Sequence, residues 1–146
     1  MKENNIGFLL EGIKTEQFAI FKENYTLNED IGLNTEFEFK LDQNNKKIGV
    51  FVSFEFLQNA KTFIKIVTSC HFKINDASWI NFIDKKESDN QFIISKGFIT
   101  HLAMISVGTT RGILYAKTEG TDFVKFIIPT INLSELILED AIFDLM

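Results

Sequence analysis

The chain has 146 residues, of which 45% are hydrophobic and 24% charged, and its formal net charge at pH 7 is −5. This length predicts one domain spanning residues 1–146 with a core of its own. The acidic balance, without a cluster of Lys and Arg, argues against nucleic acid as a partner.

Cysteine usage and hydropathy indicate the compartment. Cys70 is the single cysteine, which excludes an internal disulfide and is typical of a reducing environment. The chain contains no run of about 18 apolar residues, so we predict no membrane span. The N-terminus lacks the apolar region of a signal peptide. We therefore expect a soluble cytoplasmic protein that does not insert into membranes.

Four strands are predicted in the first half of the chain. Residues 1–14 are expected to form an N-terminal extension, with a first strand over residues 17–25. Residues 35–42 alternate apolar and charged side chains, which is typical of a half-buried strand. Residues 48–57 and 61–74 also alternate, and the short polar connections predict hairpins. The expected result is a four-stranded antiparallel sheet.

The connection between the first two strands differs from the others. Residues 26–32 are too irregular for a hairpin turn and too long for the tightest ones. We interpret this segment as a crossover that carries exposed apolar side chains, among them Leu27 and Ile31.

Helical patterns follow the sheet. Asn75 or Asp76 can cap a short helix, and Ser95 can cap a long helix that ends near Gly120. The long helix carries little charge, which predicts that both of its sides are covered. One side can pack on the chain's own sheet, and we expect a second subunit on the other.

The end of the chain is predicted to contain one more helix. Residues 122–129 are expected to be extended, and Ser134 can cap a C-terminal helix that runs to Met146. The predicted fold class is therefore α+β: a four-stranded antiparallel sheet, with a crossover after strand 1, packed against a long helix and a C-terminal helix.

The sequence contains no recognisable catalytic constellation. Cys70 and His71 are adjacent on a predicted strand, so their side chains point to opposite faces and do not form a nucleophile–base pair. Neither His71 nor His101 has a nearby Ser or Asp pattern that indicates a general base. No metal-ligand spacing or phosphate-binding glycine loop is present. We predict no enzyme activity, no metal and no cofactor.

Arg111 stands alone in an uncharged stretch. It is expected either to satisfy helix-end carbonyl groups or to pair across an interface, and a role in binding a substrate carboxylate is the less favoured alternative. The chain also carries more apolar residues than one core needs, and these have two interpretations. They close the core or an oligomer interface, or they line a groove that binds extended apolar polypeptide.

Two short motifs, together with the order of the elements, indicate a family. Residues 109–112 (TTRG) are similar to a Ser-Arg-Gly motif, and residues 128–136 (IPTINLSEL) are similar to a Pro-x-Asn-Phe-x-x-Leu ending. With the order strand, crossover, three strands, long helix, loop and last helix, the chain resembles the SecB-like export chaperones over about residues 17–136.

The resemblance implies an ATP-independent holdase that binds unfolded or partly folded proteins, with a role in protein transport and folding. It also implies a homotetramer, a dimer of dimers with the long helices between subunits. The interface residues would be Phe98, Leu102, Ile105, Gly108 and Gly112. The client-binding residues would be Tyr25, Leu27, Ile31, Leu33, Phe37, Phe39, Leu133, Leu136 and Phe143.

Several departures favour a divergent member of that family. The segment between Gly112 and Pro129 is longer than in the export chaperone, and the tail after Leu136 is short, which does not favour contact with the translocation ATPase SecA. A dedicated adaptor for a single client, such as an antitoxin, remains an alternative. A small-molecule or lipid pocket between the sheet and the helices is the other.

Overall fold

The computed structural model describes residues 6–84 and 91–145. Its largest element is a four-stranded antiparallel sheet in the order β1-β4-β3-β2. The crossover prediction is confirmed, because β1 and β2 lie at opposite edges and the connection between them must pass the central strands. The strands are β1 (Phe8–Ile20), β2 (Gly32–Asp42), β3 (Lys47–Gln58) and β4 (Lys61–Ile74), with a 3₁₀ helix over Lys22–Asn24.

The first strand differs from its prediction. It begins at Phe8 and ends at Ile20, so residues 8–14 of the predicted N-terminal extension pair with β4; residues 1–5 lie outside the described part of the chain. The register shifts between Leu10 and Gly12 and again between Thr15 and Gln17. Each shift is a β-bulge, and two bulges interrupt the period-two pattern from which a strand is recognised.

The helices and a second, smaller sheet follow β4. These elements are α1 (Asp76–Asn81), β5 (Ile83–Asp84), β6 (Gln91–Ile94), α2 (Lys96–Thr118), a 3₁₀ helix over Leu133–Glu135, and β7 (Ala141–Asp144). The small sheet has the order β5-β6-β7. Both predicted caps are confirmed: the Asn75 side chain accepts a hydrogen bond from the Ser78 amide at 2.8 Å, and the Ser95 hydroxyl accepts one from the Phe98 amide at 3.3 Å.

The predicted C-terminal helix is wrong for the described residues. After the 3₁₀ turn the chain becomes extended, and β7 pairs with β6 in the register Phe92↔Phe143. The Asp140 carboxylate accepts a hydrogen bond from the Lys96 amide at 2.7 Å, at the start of α2. Partners this distant in the sequence override the local helical pattern. Met146, where the helix was expected to end, lies outside the described residues.

The core lies between α2 and the face of the large sheet that we call the inner face; the opposite face is the outer face. Inner-face residues of β3 and β4 are fully buried, among them Val50, Phe54 and Ile66. A buried polar contact joins the sheet to α2 within this core, a 2.6 Å hydrogen bond between the hydroxyls of Thr68 and Thr110. The observed fold is therefore α+β, with the long helix on one face of the sheet.

The hairpin between β3 and β4 turns through Asn59 and Ala60, both in the left-handed region with φ of 51° and 65°. A side chain in this region is unfavourable by about 1–2 kcal/mol, which only glycine avoids. We expect Ala60→Gly to raise the free energy of unfolding by about 0.5–1 kcal/mol after the extra chain entropy of glycine is subtracted. Urea denaturation measures this change.

A matched control for this substitution lies in α2. Ala116 is exposed in the last turn of this helix, where Ala116→Gly should lower the free energy of unfolding by up to about 1 kcal/mol. If Ala60→Gly lowers the free energy of unfolding as much as Ala116→Gly does, the backbone of Ala60 is not strained at this turn.

Candidate functional site

The crossover is anchored by one buried amide at the end of β3. The side chain of Gln58 is 3% exposed. Its Oε1 accepts a hydrogen bond from the Thr26 amide at 2.8 Å, and its Nε2 donates to the carbonyl groups of Thr26 at 2.9 Å and Glu29 at 3.3 Å. The Gln58 amide thus satisfies backbone groups that the loop cannot satisfy itself. The loop is fixed to the sheet at two points.

Apolar side chains project from this anchored loop. Leu27 is 66% exposed and Ile31 is 44% exposed, so the prediction that the crossover carries exposed apolar residues is confirmed. Asn28, between them, adopts the left-handed conformation with φ of 66°, which Asn tolerates better than most residues. The loop therefore holds its apolar side chains out from the sheet on a defined backbone.

An aromatic cluster supports the base of the crossover. Phe63 is fully buried, and its ring centroid lies 5.0–6.4 Å from those of Tyr25, Phe56, Phe123 and Phe126. The cluster joins the start of β4, the crossover and the segment after α2. Tyr25, predicted as a client-binding residue, is half-buried in this cluster.

An open cleft of about 460 Å³ borders the same cluster. Lys22 and Asp122 contribute charges to it, and the rings of Tyr25 and Phe123 contribute an apolar wall. Lys125 lies nearby, with its ammonium group 5.6 Å from the centre of the Tyr25 ring. The cleft has the size of a small-ligand site, and two aromatic rings form one wall of an otherwise largely polar lining.

The other predicted client-binding residues lie on three separate elements. Leu33, Phe37 and Phe39 are half-buried on the inner face of β2, and the rings of Phe37 and Phe39 are parallel with their centroids 6.4 Å apart. Leu136 is exposed after the 3₁₀ turn, and Phe143 is half-buried in β7. Leu133 is buried in the core, so its side chain is not free to contact a client. The structure thus keeps most of the predicted set at least partly accessible.

The predicted oligomer interface divides in two. Phe98 and Leu102 are buried in the chain's own core, which removes them from the set that could contact a second subunit. Ile105 is half-buried, and Gly108 and Gly112 are exposed. The helix turns by 100° per residue, so Phe98 and Leu102 belong to the sheet side of α2, while the two glycines lie on its outer side.

The outer side of α2 is nearly uncharged. Its exposed residues between the terminal lysines are Gly97, His101, Met104, Gly108, Gly112, Tyr115 and Ala116. Arg111 is also on this part of the helix, but its guanidinium turns toward residues 119–132, which follow α2 and which we call the return segment. Nε donates to the Ile128 carbonyl and Nη2 to the Pro129 carbonyl, each at 2.6 Å. Arg111 therefore binds backbone carbonyl groups of the segment that follows the helix, and not the helix-end carbonyl groups that were predicted as its partners.

The outer face of the sheet carries a cluster that the sequence interpretation missed. The Ser69 hydroxyl donates to the Glu16 carboxylate at 2.7 Å and lies 2.9 Å from Nε2 of His71. The Phe51 ring meets the imidazole edge-on, with centroids 5.9 Å apart. Ser69 and His71 are two residues apart on one strand and share a face, so their contact was recognisable. Glu16 was not, because its strand was placed too late in the chain.

Cys70 lies on the opposite face of the same strand and is fully buried. Burial raises the pKa of the Cys70 thiol, and hydrogen bonds to Ser106 and Thr109 oppose that shift only in part. The thiol therefore stays protonated at neutral pH and is a weak nucleophile. This placement agrees with its interpretation as a small core residue.

The Gln58 anchor leads to a direct test. We expect Gln58→Leu to lower the free energy of unfolding by about 1–3 kcal/mol, because the loop groups of Thr26 and Glu29 lose a buried partner. Cleavage in residues 26–31 by a protease should become faster than in the unchanged protein. Limited proteolysis and urea denaturation measure the two effects.

A second substitution separates the hydrogen bonds from side-chain volume. Gln58→Glu keeps the shape and the acceptor oxygen but replaces the Nε2 donor by a buried acidic group, so it should be no more stable than Gln58→Leu. Unchanged cleavage of the loop in both variants would show that other contacts fix the crossover.

The described residues define an α+β protein with an anchored apolar crossover and an uncharged outer helix side. No family model matches the chain, and no curated protein or solved structure matches it. Within residues 6–84 and 91–145, no group of three or more His, Cys, Asp or Glu side chains could hold a metal ion. In the same part of the chain, no helix combines the length and apolar character needed to cross a membrane.

Proposed function

We propose that this chain is the subunit of a SecB-like holdase, an ATP-independent chaperone that binds unfolded or partly folded polypeptides. The observation that carries the proposal is the anchored crossover. A loop with two large apolar side chains exposed by 66% and 44%, and with its backbone bound to a buried glutamine, presents apolar surface in a fixed position. Persistent exposed apolar surface is typical of an interaction site.

The resemblance to the SecB-like chaperones supports the same proposal independently. It assigns client binding to the crossover, the second strand and the end of the chain. Exposed or half-buried apolar side chains are present in each of these parts, at Leu27, Phe37 and Leu136. Leu133 is excluded from the proposed client surface because it is buried.

Assembly into a homotetramer is the second part of the proposal. The outer side of α2 supports it, because Met104 and Tyr115 are exposed beside Gly108 and Gly112 and no acidic residue interrupts them. Glycines permit the close approach of a second helix, and a nearly uncharged side favours its burial. The proposed interface therefore consists of Ile105, Gly108 and Gly112 from the original set, extended by Met104 and Tyr115.

The mechanism would be reversible burial of client apolar segments. The client contributes apolar side chains, and the chaperone contributes Leu27, Ile31 and the half-buried aromatic residues of β2. Binding energy comes from the apolar area removed from water, so no nucleotide is needed. The net charge of −5 keeps the assembly soluble through self-repulsion.

The proposal predicts suppression of aggregation without ATP. We expect an excess of the protein to reduce light scattering from a chemically denatured test protein after dilution. The double substitution Leu27→Ser and Ile31→Ser should weaken client affinity, and with it this suppression, by about tenfold or more, since full burial of such a side chain contributes about 1.5–3 kcal/mol and about half of each is exposed before binding. Light scattering measures the suppression, at a temperature where the double variant and the unchanged protein are both folded.

The matched control is Leu9→Ser. Leu9 is 61% exposed, close to the exposure of Leu27, but it lies on the outer face of β1 away from the crossover. It should leave the suppression unchanged. No suppression by the unchanged protein, or an equal loss in both variants, would refute the proposed site. A strictly monomeric mass by light scattering would refute the assembly into a homotetramer. Binding of one partner protein, without binding of unrelated unfolded proteins, would indicate a dedicated adaptor.

The cleft beside Tyr25 favours a second candidate function, the binding of a small molecule or lipid. Its volume of about 460 Å³ and its aromatic wall support this candidate. Native mass spectrometry of the purified protein should then detect a retained ligand, and Tyr25→Ala should remove it. A protein that carries no ligand and suppresses aggregation would decide in favour of the holdase.

A further inference from the structure

The cleft beside Tyr25 lies between two parts of the chain that are distant in sequence. One side is formed by the start of the crossover, with Lys22 and Tyr25, and the other by residues 120–123, which follow α2. The crossover side is attached to the sheet, because the Asn24 side chain donates from Nδ2 to the Thr62 carbonyl at 2.8 Å. This side of the cleft therefore has a fixed position relative to β4.

The opposite side of the cleft is a turn held by its own hydrogen bonds. Gly120 ends the helix in the left-handed conformation, with φ of 83°. The Thr121 hydroxyl donates to the Thr118 carbonyl at 2.7 Å and accepts a hydrogen bond from the Phe123 amide at 3.0 Å. Since both sides are fixed before a ligand arrives, binding requires little ordering of the protein.

The aromatic wall of the cleft is also rigid. The ring centroid of Tyr25 lies 5.1 Å from that of Phe63 and 5.5 Å from those of Phe123 and Phe126. Tyr25 is only half-buried, so part of its ring remains accessible from the cleft. A fixed and accessible aromatic ring favours contact with an apolar or aromatic group of a ligand.

Opposite charges line the two sides of the cleft. Lys22 is on the crossover side and Asp122 on the side of the turn, and neither forms an ion pair with any other residue that the structure describes. Gly120, next to the C-cap of α2, also lines the cleft, and the carbonyl end of a helix carries partial negative charge. The turn side therefore favours a cation, and the crossover side favours an anion.

We propose that this cleft binds a free amino acid with an aromatic side chain. Its carboxylate pairs with Lys22, its ammonium group with Asp122 at the end of α2, and its ring packs against Tyr25. The volume of about 460 Å³ is in the lower part of the range of about 300–1,000 Å³ for ligand pockets, which suits an amino acid better than a long-chain lipid. The proposal rests on the second candidate function and is independent of the holdase.

Titration of the nitrogen-15-labelled protein with L-phenylalanine tests the proposal. We expect chemical-shift changes in the amides of residues 22–25 and 119–123, with a dissociation constant of about 0.1–1 mM for a small ligand in an open site. Phenylpropionate lacks the ammonium group and phenethylamine lacks the carboxylate, so each should bind about two- to fivefold more weakly. Alanine lacks the ring and should bind at least about tenfold more weakly.

Two substitutions assign each charge of the ligand to its partner. Lys22→Gln should weaken the binding of phenylalanine but leave that of phenethylamine unchanged, because phenethylamine has no carboxylate. Asp122→Asn should weaken the binding of phenylalanine but leave that of phenylpropionate unchanged. The matched controls are Lys117→Gln and Glu119→Gln, which remove exposed charges near the same end of α2 but outside the cleft lining, and both should retain the affinity for phenylalanine.

The proposal is refuted if phenylalanine causes no shift changes at the cleft, if alanine binds as tightly, or if phenylpropionate binds as tightly, which would indicate a site for aromatic anions. A retained ligand of another class, detected by native mass spectrometry, would refute the amino-acid proposal and leave the cleft as a ligand site. None of these outcomes changes the test of the holdase, because suppression of aggregation is measured without added amino acid and depends on Leu27 and Ile31.

Discussion

Phe63→Ala should lower the free energy of unfolding by about 3–5 kcal/mol. Phe63 is fully buried, and four aromatic rings surround it within 6.4 Å. The substitution removes these contacts and leaves a cavity that the sheet on one side cannot close. Since total stability is typically about 5–15 kcal/mol, the loss is a large part of it. Urea denaturation followed by circular dichroism measures it.

Two further variants make the result interpretable. Phe63→Leu keeps most of the volume and should lose about 1–2 kcal/mol, which gives a measurable value even if the alanine variant does not fold. Phe21→Ala removes a ring that is exposed near the same end of the sheet, and it should lose less than about 1 kcal/mol. Equal losses for Phe63→Ala and Phe21→Ala would show that the aromatic cluster does not stabilise this end of the fold.

Arg111→Met should lower the free energy of unfolding by about 2–3 kcal/mol. The guanidinium donates two 2.6 Å hydrogen bonds to the carbonyl groups of Ile128 and Pro129, and hydrogen bonds to a charged group contribute about 1.5–3 kcal/mol each before solvent exposure is considered. Ile128 is buried, so its carbonyl would lose a partner that water cannot easily replace. Exchange of amides in residues 123–137 should become faster along with the global loss.

Arg111→Lys separates charge from geometry. Lysine keeps the positive charge but cannot direct two donors in the planar arrangement of a guanidinium. It should therefore recover less than half of the lost stability. Full recovery would mean that the charge alone matters, and no loss in Arg111→Met would mean that the return segment is fixed by its apolar contacts.

The strands β2, β3 and β4 were predictable from the sequence because in each of them one face is more deeply buried than the other. In β3, for example, Val50, Val52 and Phe54 are buried while Phe51 and Ser53 are only half-buried. A strand of this kind shows the alternation directly. β1 has little burial in its middle and contains two bulges, so its pattern is weak and its predicted start was too late.

The C-terminal region was mispredicted for a different reason. Residues 134–146 have apolar spacing compatible with a helix, yet β7 forms there because β6 offers a backbone partner and Asp140 binds the first turn of α2. Neither partner is near in the sequence. Local propensity is a weak guide when distant backbone groups compete for the same residues.

The candidate site was accessible to prediction only in part. The exposed apolar residues Leu27 and Ile31 were expected from an irregular polar connection that contains them. The anchor at Gln58 could not be expected, because it binds backbone groups of Thr26 and Glu29, and backbone groups leave no residue-specific signal in the sequence. Interface residues on α2 were assigned to the wrong side in two cases, since both sides of that helix are apolar.

The amino-acid sequence alone determined the α+β class, the three regular strands, the crossover, the long helix and its cap, because these depend on periodicity and local hydrogen bonding. The tertiary structure alone decided which side of α2 the sheet covers, where β1 begins, that residues 141–144 form a strand, and that Gln58, Arg111 and the Glu16–Ser69–His71 group cross between elements. These features arise from contacts between residues distant in the chain, and the free energy of such contacts exceeds the small local preferences that a sequence pattern records.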